Sequence, residues 1–162
     1  MISAEIAGRL GNQMFIIAAA HSLAIDNNDQ AVFPKSIICL HPPTESETKL
    51  HRNTILRNVQ YTNDLSFIEN LYVEPPNHEY AKIDYKPNSY LRGYFQSEKY
   101  FKHNRENILE LFSPQKQIEA HISKKYEALI DNKDCVSVHV RRGDYLELSE
   151  FHAVLGKEYY DK

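Results

Sequence analysis

The sequence predicts an α/β fold, and three observations support this class. The chain of 162 residues opens with a β-prone segment, a glycine-containing turn, a stretch of helical periodicity and a second β-prone segment. This is how a Rossmann-like unit begins. Later segments repeat the alternation of strand and helix signals. Hydrophobic residues make up 42% of the chain, which is enough for the core of one ordinary domain, while the length is too short for two complete ones.

Local patterns predict the first elements in order. Residues 2–7 alternate apolar and polar side chains and predict a strand. Residues 8–12 form a turn, and residues 13–27 predict a helix that the following Asn and Asp residues end. Residues 31–33 predict the second strand. The positions that recur at helical spacing are Met14, Ile17, Ala18, His21 and Ile25.

The later elements follow a stretch of weak signals, because prolines between residues 34 and 87 mark turns without further pattern. Residues 90–95 predict a strand, and Ser97 is placed to cap a helix that runs to about residue 112. Pro114 suits the first position of another helix, and the last helix begins near Gly156. Residues 135–140 are strongly β-prone and predict a further strand. The helix that begins at Pro114 carries an apolar stripe of Ile118, Ile122, Tyr126, Leu129 and Ile130.

Net charge and cysteine content argue against several classes of function. The net charge of −3 argues against a nucleic-acid binder, which needs a basic excess to neutralise phosphates. A polyanionic ligand of this chain must therefore be small and be met by a few placed cations. Cys39 and Cys135 lie far apart and belong to no CxxC pair, so we expect two buried free thiols rather than a disulfide framework or zinc cluster, which fits a cytoplasmic protein.

The sharpest chemical motif, H-V-R-R-G-D-Y, occupies residues 139–145 after the last β-prone segment. Side chains alternate along a strand, so His139 and Arg141 share one face. Ligands bind outside the carboxyl ends of strands in open α/β sheets, and a guanidinium matches phosphate oxygens. An anion site and a structural ion-pair knot of Arg141, Arg142 and Asp144 both fit this chemistry. The Arg-Gly-Asp tripeptide of adhesion loops is a weaker third reading.

Two further motifs lie between predicted strands and helices. In G-R-L-G-N-Q, residues 8–13, Gly11, Asn12 and Gln13 stand at a helix start, where unpaired amides attract anions. Taken alone, this motif is better explained as an ordinary turn with Asn12 as helix cap. In R-G-Y-F-Q-S-E-K-Y-F, residues 92–101, the aromatic side chains can stack on a sugar, but core packing is the favoured interpretation.

The order of the three motifs resembles glycosyltransferase family 11, the α-1,2-fucosyltransferases. G-R-L-G-N-Q-M-F comes first, then G-Y-F-Q-S-E-K-Y-F, then H-V-R-R-G-D-Y. The resemblance implies a GT-B architecture of two Rossmann-like domains facing a cleft. Residues 1–133 would form the N-terminal, acceptor-side domain. Residues 134–162 would begin a truncated GDP-fucose-binding domain, which needs partner elements to cover its sheet.

The resemblance also implies roles for individual residues. Arg141 matches the family's arginine that contacts the donor diphosphate, with His139, Arg142 and Asp144 binding the substrate around it. Asn12 matches an asparagine near the reacting centre, and we expect Gly11 and Gln13 of the same turn to help bind substrate.

The implied activity is inverting transfer of L-fucose from GDP-fucose to the 2-hydroxyl of a galactose-type glycan. We expect no cofactor and no metal, because the sequence has neither an Asp-x-Asp triplet nor a His/Cys cluster. We also expect no nucleic-acid partner. The expected location is the cytoplasm, including the inner face of the membrane, reached through a lipid-linked or surface glycan acceptor.

A non-enzymatic reading stays open beside this one. The chain could be a sugar- or nucleotide-binding module or an inactive remnant, because GDP would meet only part of its site here. Calorimetric titration with GDP separates the two, since micromolar binding by this chain alone indicates a self-sufficient module.

The arginine motif generates the first prediction. Arg141→Lys keeps the charge but loses the planar fork of donors. We expect fucosyl transfer to fall by about 10²-fold to 10³-fold, the usual cost of removing one donor that stabilises transition-state charge. Thermal unfolding should change little. Near-native turnover would remove Arg141 from this role.

Overall fold

The chain is described here from a computed structural model. The structure describes residues 1–39, 43–76, 79–130, 132, 134–140, 150 and 155–160. The chain divides into two compact units, Met1–Ile118 and Glu119–Lys162. The predicted domain boundary between residues 133 and 134 stays a prediction.

Among its described residues the first unit contains five short strands, and every pair formed by them is parallel. Together with the helices between them, these pairs confirm a mixed α/β fold with a parallel sheet, consistent with a Rossmann-like unit. The strand predicted at residues 2–7 is found in shortened form, and the strand predicted at residues 90–95 begins one residue earlier and ends three residues earlier. The strand predicted at residues 31–33 shares only Phe33 with the observed strand. The strands are β1 (Ile2–Ala4), β2 (Phe33–Pro34), β3 (Tyr61–Thr62), β4 (Asn70–Val73) and β5 (Ser89–Arg92).

The strand order places β1 at the centre. One sheet has the order β1-β5-β4, and a second pairs β2 with β3. A parallel bridge between Ile2 and Ala31 joins the two sheets, so the combined order is β3-β2-β1-β5-β4. The chain leaves β1 towards β2 on one side and returns to β5 on the other. The junction of β1 and β5 is therefore the point where the strand order reverses, where open α/β sheets bind their ligands.

The helices include one long element that covers the sheet. Helix α1 begins three residues earlier than predicted and ends one residue earlier. The helix predicted from Ser97 to residue 112 is interrupted, because Phe101, with φ −144° and ψ 0°, is not helical and lies between two 3₁₀ turns, Glu98–Tyr100 and Lys102–Asn104. The helices are α1 (Leu10–Asp26), α2 (Glu45–Asn53), α3 (Arg105–Leu111), α4 (Lys116–Lys125), α5 (Glu127–Ile130) and α6 (Lys157–Tyr160).

The core lies between α1 and the sheet. Ile16 and Ile17 of α1 are fully buried, as are Ile2 of β1 and Leu91 of β5. Burying a side chain of this size stabilises the fold by about 1.5–3 kcal/mol. Phe95, in the loop after β5, is also fully buried. The core interpretation of this aromatic residue is therefore confirmed.

Helix α2 was not predicted, although its start carries a recognisable signal. The Oγ1 of Thr44 accepts a hydrogen bond from the Glu47 amide at 3.2 Å, and the Thr44 amide donates to Glu47 Oε2 at 2.7 Å. These reciprocal bonds form a capping box. The bonds from Thr44 hold the pKa of Glu47 below its ordinary value.

In the second unit the predicted strand over residues 135–140 is wrong. The segment forms no strand, and Val136 and Val138 are 86% and 66% exposed. Strand backbone needs a hydrogen-bonded neighbour, and no described residue supplies one. Cys135 is exposed and Cys39 is partly exposed, so the expectation of two buried thiols is also wrong.

The apolar stripe expected on a single helix is divided between α4 and α5. Tyr126 lies between the two helices, and the stripe residues Ile122, Leu129 and Ile130 are 44%, 55% and 61% exposed. The final helix is confirmed as α6, which begins at Lys157. Across the described residues, no helix is long and apolar enough to cross a membrane.

His21 on α1 makes stability depend on pH. Burial lowers the pKa of His21 below its ordinary value of 6.5, because burial disfavours the charged imidazolium. Between the two pKa values the unfolded chain binds more protons than the folded one, so the free energy of unfolding rises with pH up to about 6.5 and then levels off. We expect His21→Gln to flatten this rise. Urea unfolding of both proteins between pH 5 and 8 measures it, and parallel curves would contradict it.

Candidate active site

The carboxyl ends of β1, β4 and β5 open onto a cavity of about 340 Å³, here called the edge crevice. Its volume lies within the range of roughly 300–1,000 Å³ usual for small-molecule sites. Its position matches the ligand position of open α/β sheets. Its lining residues are Glu5, Ala7, Ile38, Cys39, Val73, Glu74, Pro75, Pro76, Arg92, Gly93 and Tyr94.

A larger cavity of about 460 Å³ lies beside the C-terminal half of α1 and residues 80–85. It is lined by Asp26 and Asn27 at the end of α1 and by Tyr85, which precedes β5. These residues belong to the amino-end side of the sheet. Position relative to the strands therefore favours the smaller edge crevice as the candidate active site.

The first motif forms the turn between β1 and α1 at one side of the crevice. Gly8 has a left-handed φ of +72°, and a Cβ at this position would clash with the Asn12 side chain. The Gly8 amide donates to the carbonyl of Ile38 at 2.9 Å, which fixes the turn against a residue that lines the crevice. The glycine therefore allows the chain to turn tightly just before α1 begins at Leu10.

Helix α1 begins without a side-chain cap. Its N-cap is Arg9, whose side chain makes no capping hydrogen bond. The alternative that Asn12 caps the helix is wrong, because Asn12 lies within the first turn of α1. The first backbone N–H groups of α1 can therefore donate hydrogen bonds to a ligand or to water.

The two motifs meet through their side chains. The Gln96 side-chain amide donates to Asn12 Oδ1 at 2.7 Å, across 84 residues of sequence. Gln13 is 3% exposed, and its side-chain amide donates to the Gly8 carbonyl at 3.0 Å. Gln13 therefore supports the turn from beneath, whereas Asn12 is half-buried and Gly11 is exposed with open space where a Cβ would stand. Their substrate roles stay predictions.

A buried carboxylate shapes the other side of the crevice. Glu74 follows β4 and is 8% exposed. Its Oε2 accepts from the Tyr94 amide at 2.7 Å, and both oxygens accept from the Phe95 amide at 3.0 Å. These bonds hold Phe95 at an unfavourable φ of +50°. Tyr94, 37% exposed, consequently borders the crevice while Phe95 enters the core.

An ion pair lies beside this turn. Arg92 Nε donates to Glu5 Oε2 at 3.2 Å, and the side chains are 52% and 20% exposed. Sequence reasoning missed Glu5 and Glu74 as site residues. For Glu74 the available signal was an acidic residue directly after the β-prone residues 71–73, at the position where parallel strands present ligand-binding groups. Glu5 lies inside the predicted strand of residues 2–7, so the pattern did not place it at a strand end.

The third motif lies mostly outside the described residues. Arg141, Arg142 and Asp144 are not described, and His139 lies in the exposed segment that forms no strand. Their donor-binding roles stay predictions. Within the part that the structure describes, no group of three or more His, Cys, Asp or Glu side chains could hold a metal ion. The expected independence from metal is not tested by this geometry.

Comparison with known proteins decides the family. The chain matches the family model described as glycosyl transferase family 11 over residues 1–161. The chain belongs to glycosyltransferase family 11. The resemblance carried by the three motifs, and the prediction of a transferase family, are thereby confirmed.

Two curated relatives of this family 11 chain come from Escherichia coli. The O-antigen biosynthesis glycosyltransferase WbnK is 29% identical over 97% of this chain and 65% of its own length. An alpha-1,2-colitosyltransferase is 24% identical over 99% of this chain and 61% of its own length. The chain thus spans less than two thirds of each relative. No solved structure shows significant similarity.

The turn held by Glu74 generates a matched pair of predictions. Gly93 has a φ of +149°, and a Cβ there would clash with the Glu74 side chain. Gly93→Ala should therefore lower the free energy of unfolding by roughly 2–4 kcal/mol, since strain and overpacking each cost about 1–3 kcal/mol. Gly11→Ala is the control, because nothing lies within 4 Å of its Cβ position.

The control should gain about 0.4–1 kcal/mol from reduced freedom of the unfolded chain. Urea unfolding followed by circular dichroism measures both variants. If the two variants have the same free energy of unfolding, the contact with Glu74 does not require a glycine at position 93.

Proposed function

We propose that this protein transfers L-fucose from GDP-fucose to the 2-hydroxyl of a galactose-type glycan, with inversion at the sugar carbon. The observation that carries the proposal is the meeting of two family 11 motifs at the carboxyl edge of a parallel sheet, where Gln96 binds Asn12. The alpha-1,2 linkage named for one relative supports transfer to a 2-hydroxyl.

The edge crevice suits a glycan acceptor better than a diphosphate. Two carboxylates, Glu5 and Glu74, line it together with one guanidinium, Arg92. This balance of charge repels a polyanion, whereas carboxylate oxygens readily accept hydrogen bonds from sugar hydroxyls. The exposed ring of Tyr94 adds an apolar surface for a sugar face. We therefore assign acceptor binding to the first unit.

Donor binding is assigned to the arginine motif. Arg141 would neutralise the diphosphate of GDP-fucose, with His139, Arg142 and Asp144 around it. Negative charge builds on GDP as the glycosidic bond breaks, and a fixed guanidinium stabilises that charge without a metal. The proposed architecture is GT-B, with residues 1–133 as the acceptor-side domain and residues 134–162 as the beginning of the donor domain.

The cellular setting forms part of the same proposal. The enzyme would act in the cytoplasm or at the inner face of the membrane, because a GDP-sugar donor and a lipid-linked or surface glycan acceptor would meet there. Nucleic acid is not among the proposed partners, in keeping with the net charge of −3.

A second candidate is a non-catalytic sugar- or nucleotide-binding module. The observation in its favour is the edge crevice itself, whose carboxylates and Tyr94 can bind a sugar without any transfer chemistry. Titration with GDP and with lactose addresses it directly. Binding of either ligand without any sugar transfer would favour this module.

Transfer is tested by incubating the protein with GDP-fucose and lactose and analysing the product by NMR. We expect fucose linked α-1,2 to the galactose residue, and equal yield with and without EDTA. A series of donors that includes GDP-colitose shows which sugar the protein transfers. Transfer of colitose but not of fucose would contradict the proposed donor. Transfer from neither donor would contradict the proposed function.

A further inference from the structure

We propose that Glu5 is the general base that activates the acceptor hydroxyl. The inference rests on the proposed function and deepens it, because inverting transfer needs a group that accepts the proton of the attacking hydroxyl. It rests on the position of Glu5 in the edge crevice, its hydrogen bonds and the chemistry of its neighbours.

The backbone at Glu5 is held firmly at the edge of the sheet. Glu5 directly follows β1, and its amide donates to the carbonyl of Leu91 at 2.9 Å. This bond continues the pairing of β1 with β5 by one residue. The side chain therefore leaves a fixed point between the two central strands, where the strand order reverses. A base carried by a rigid strand end keeps its geometry during turnover.

One oxygen of the Glu5 carboxylate accepts a hydrogen bond, and the other accepts none from the described residues. Oε2 accepts from Arg92 Nε at 3.2 Å, which orients the group. No hydrogen bond to Oε1 is formed within the described part of the chain. The side chain is 20% exposed and lines the crevice. A sugar hydroxyl that enters the crevice can therefore reach an ionised oxygen that is already oriented.

The neighbouring groups are less suited to this role. Glu74 lines the same crevice, but its oxygens accept hydrogen bonds from the Tyr94 and Phe95 amides. Asn12 is an amide, which cannot take up a proton at neutral pH, and Gln96 already occupies its oxygen. No histidine is found among the described residues that line the crevice.

The proposed step is balanced in atoms and charge. As the oxygen of the acceptor 2-hydroxyl forms a bond to C1 of fucose, its proton passes to the Glu5 carboxylate. The bond between C1 and the phosphate oxygen breaks, and GDP departs with the electron pair. The products are the α-linked fucoside, GDP and protonated Glu5, which then returns the proton to solvent.

The charged and titratable groups that face Glu5 come from several elements. Arg92 and Tyr90 belong to β5, Glu74 follows β4, and Cys39 lies across the crevice. Burial, followed by the nearby Glu5 carboxylate, raises the pKa of Tyr90. The phenol therefore stays protonated near neutral pH and does not compete as a base.

The test compares Glu5→Gln and Glu5→Ala with Glu106→Gln, an exposed glutamate on α3 away from the crevice. Transfer from GDP-fucose to lactose is measured by the kcat of each protein, with circular dichroism as the check on folding. We expect both Glu5 variants to lose about 10²-fold to 10⁴-fold in kcat, the usual contribution of a positioned base. Glu106→Gln should match the wild type.

Two further readouts separate a base from a structural or binding residue. Formate should restore part of the activity of Glu5→Ala, because it supplies a carboxylate in the vacated space. The acid limb of the pH–rate profile should disappear in Glu5→Gln. A folded Glu5→Gln with near-native kcat, or with only a raised KM for lactose, would overturn the inference and leave the proposed function standing. Absence of transfer by the wild-type protein would overturn both.

Discussion

The hydrogen bonds from the Tyr94 and Phe95 amides to the buried Glu74 carboxylate set the geometry on which the candidate site depends. They hold a non-glycine residue at positive φ, a conformation that costs about 1–3 kcal/mol unless its surroundings impose it. Without this anchor the chain would have no reason to turn sharply after β5. Phe95 would not reach the core, and Tyr94 would not border the crevice.

The same turn is tied both to the crevice and to the start of α1. Immediately after Phe95, Gln96 binds Asn12 on the first turn of α1. Just before the turn, Arg92 binds Glu5 at the end of β1. Two strand ends and one helix start are thus joined by side chains from a single short segment. Such ties are what a preorganised site needs, because reacting groups must be held to within a fraction of an ångström.

The distribution of charge suggests how the proposed reaction is divided along the chain. The described crevice carries more carboxylate than guanidinium, whereas the H-V-R-R-G-D-Y motif supplies two adjacent arginines. A neutral, hydroxyl-rich acceptor and an anionic donor have opposite electrostatic requirements. A chain that carries the two kinds of charge on separate segments can offer each ligand a suitable field.

The sequence by itself determined the local elements and the family. Residue patterns located β1, α1 and β5 to within a few residues, because strand alternation and helical periodicity are local properties. The order of the three motifs sufficed to identify family 11. The capping box of α2 was also readable at Thr44 and Glu47, although it was overlooked within a proline-rich stretch.

Only the tertiary structure decided which side chains meet. Glu5 and Arg92 lie 87 residues apart, and Asn12 and Gln96 lie 84 apart. No local pattern encodes such contacts, because they follow from the order in which parallel strands assemble. The same reason explains the error at residues 135–140, where β-propensity predicted a strand. Propensity describes how well residues fit a sheet, but a strand forms only where a neighbouring strand completes its hydrogen bonds.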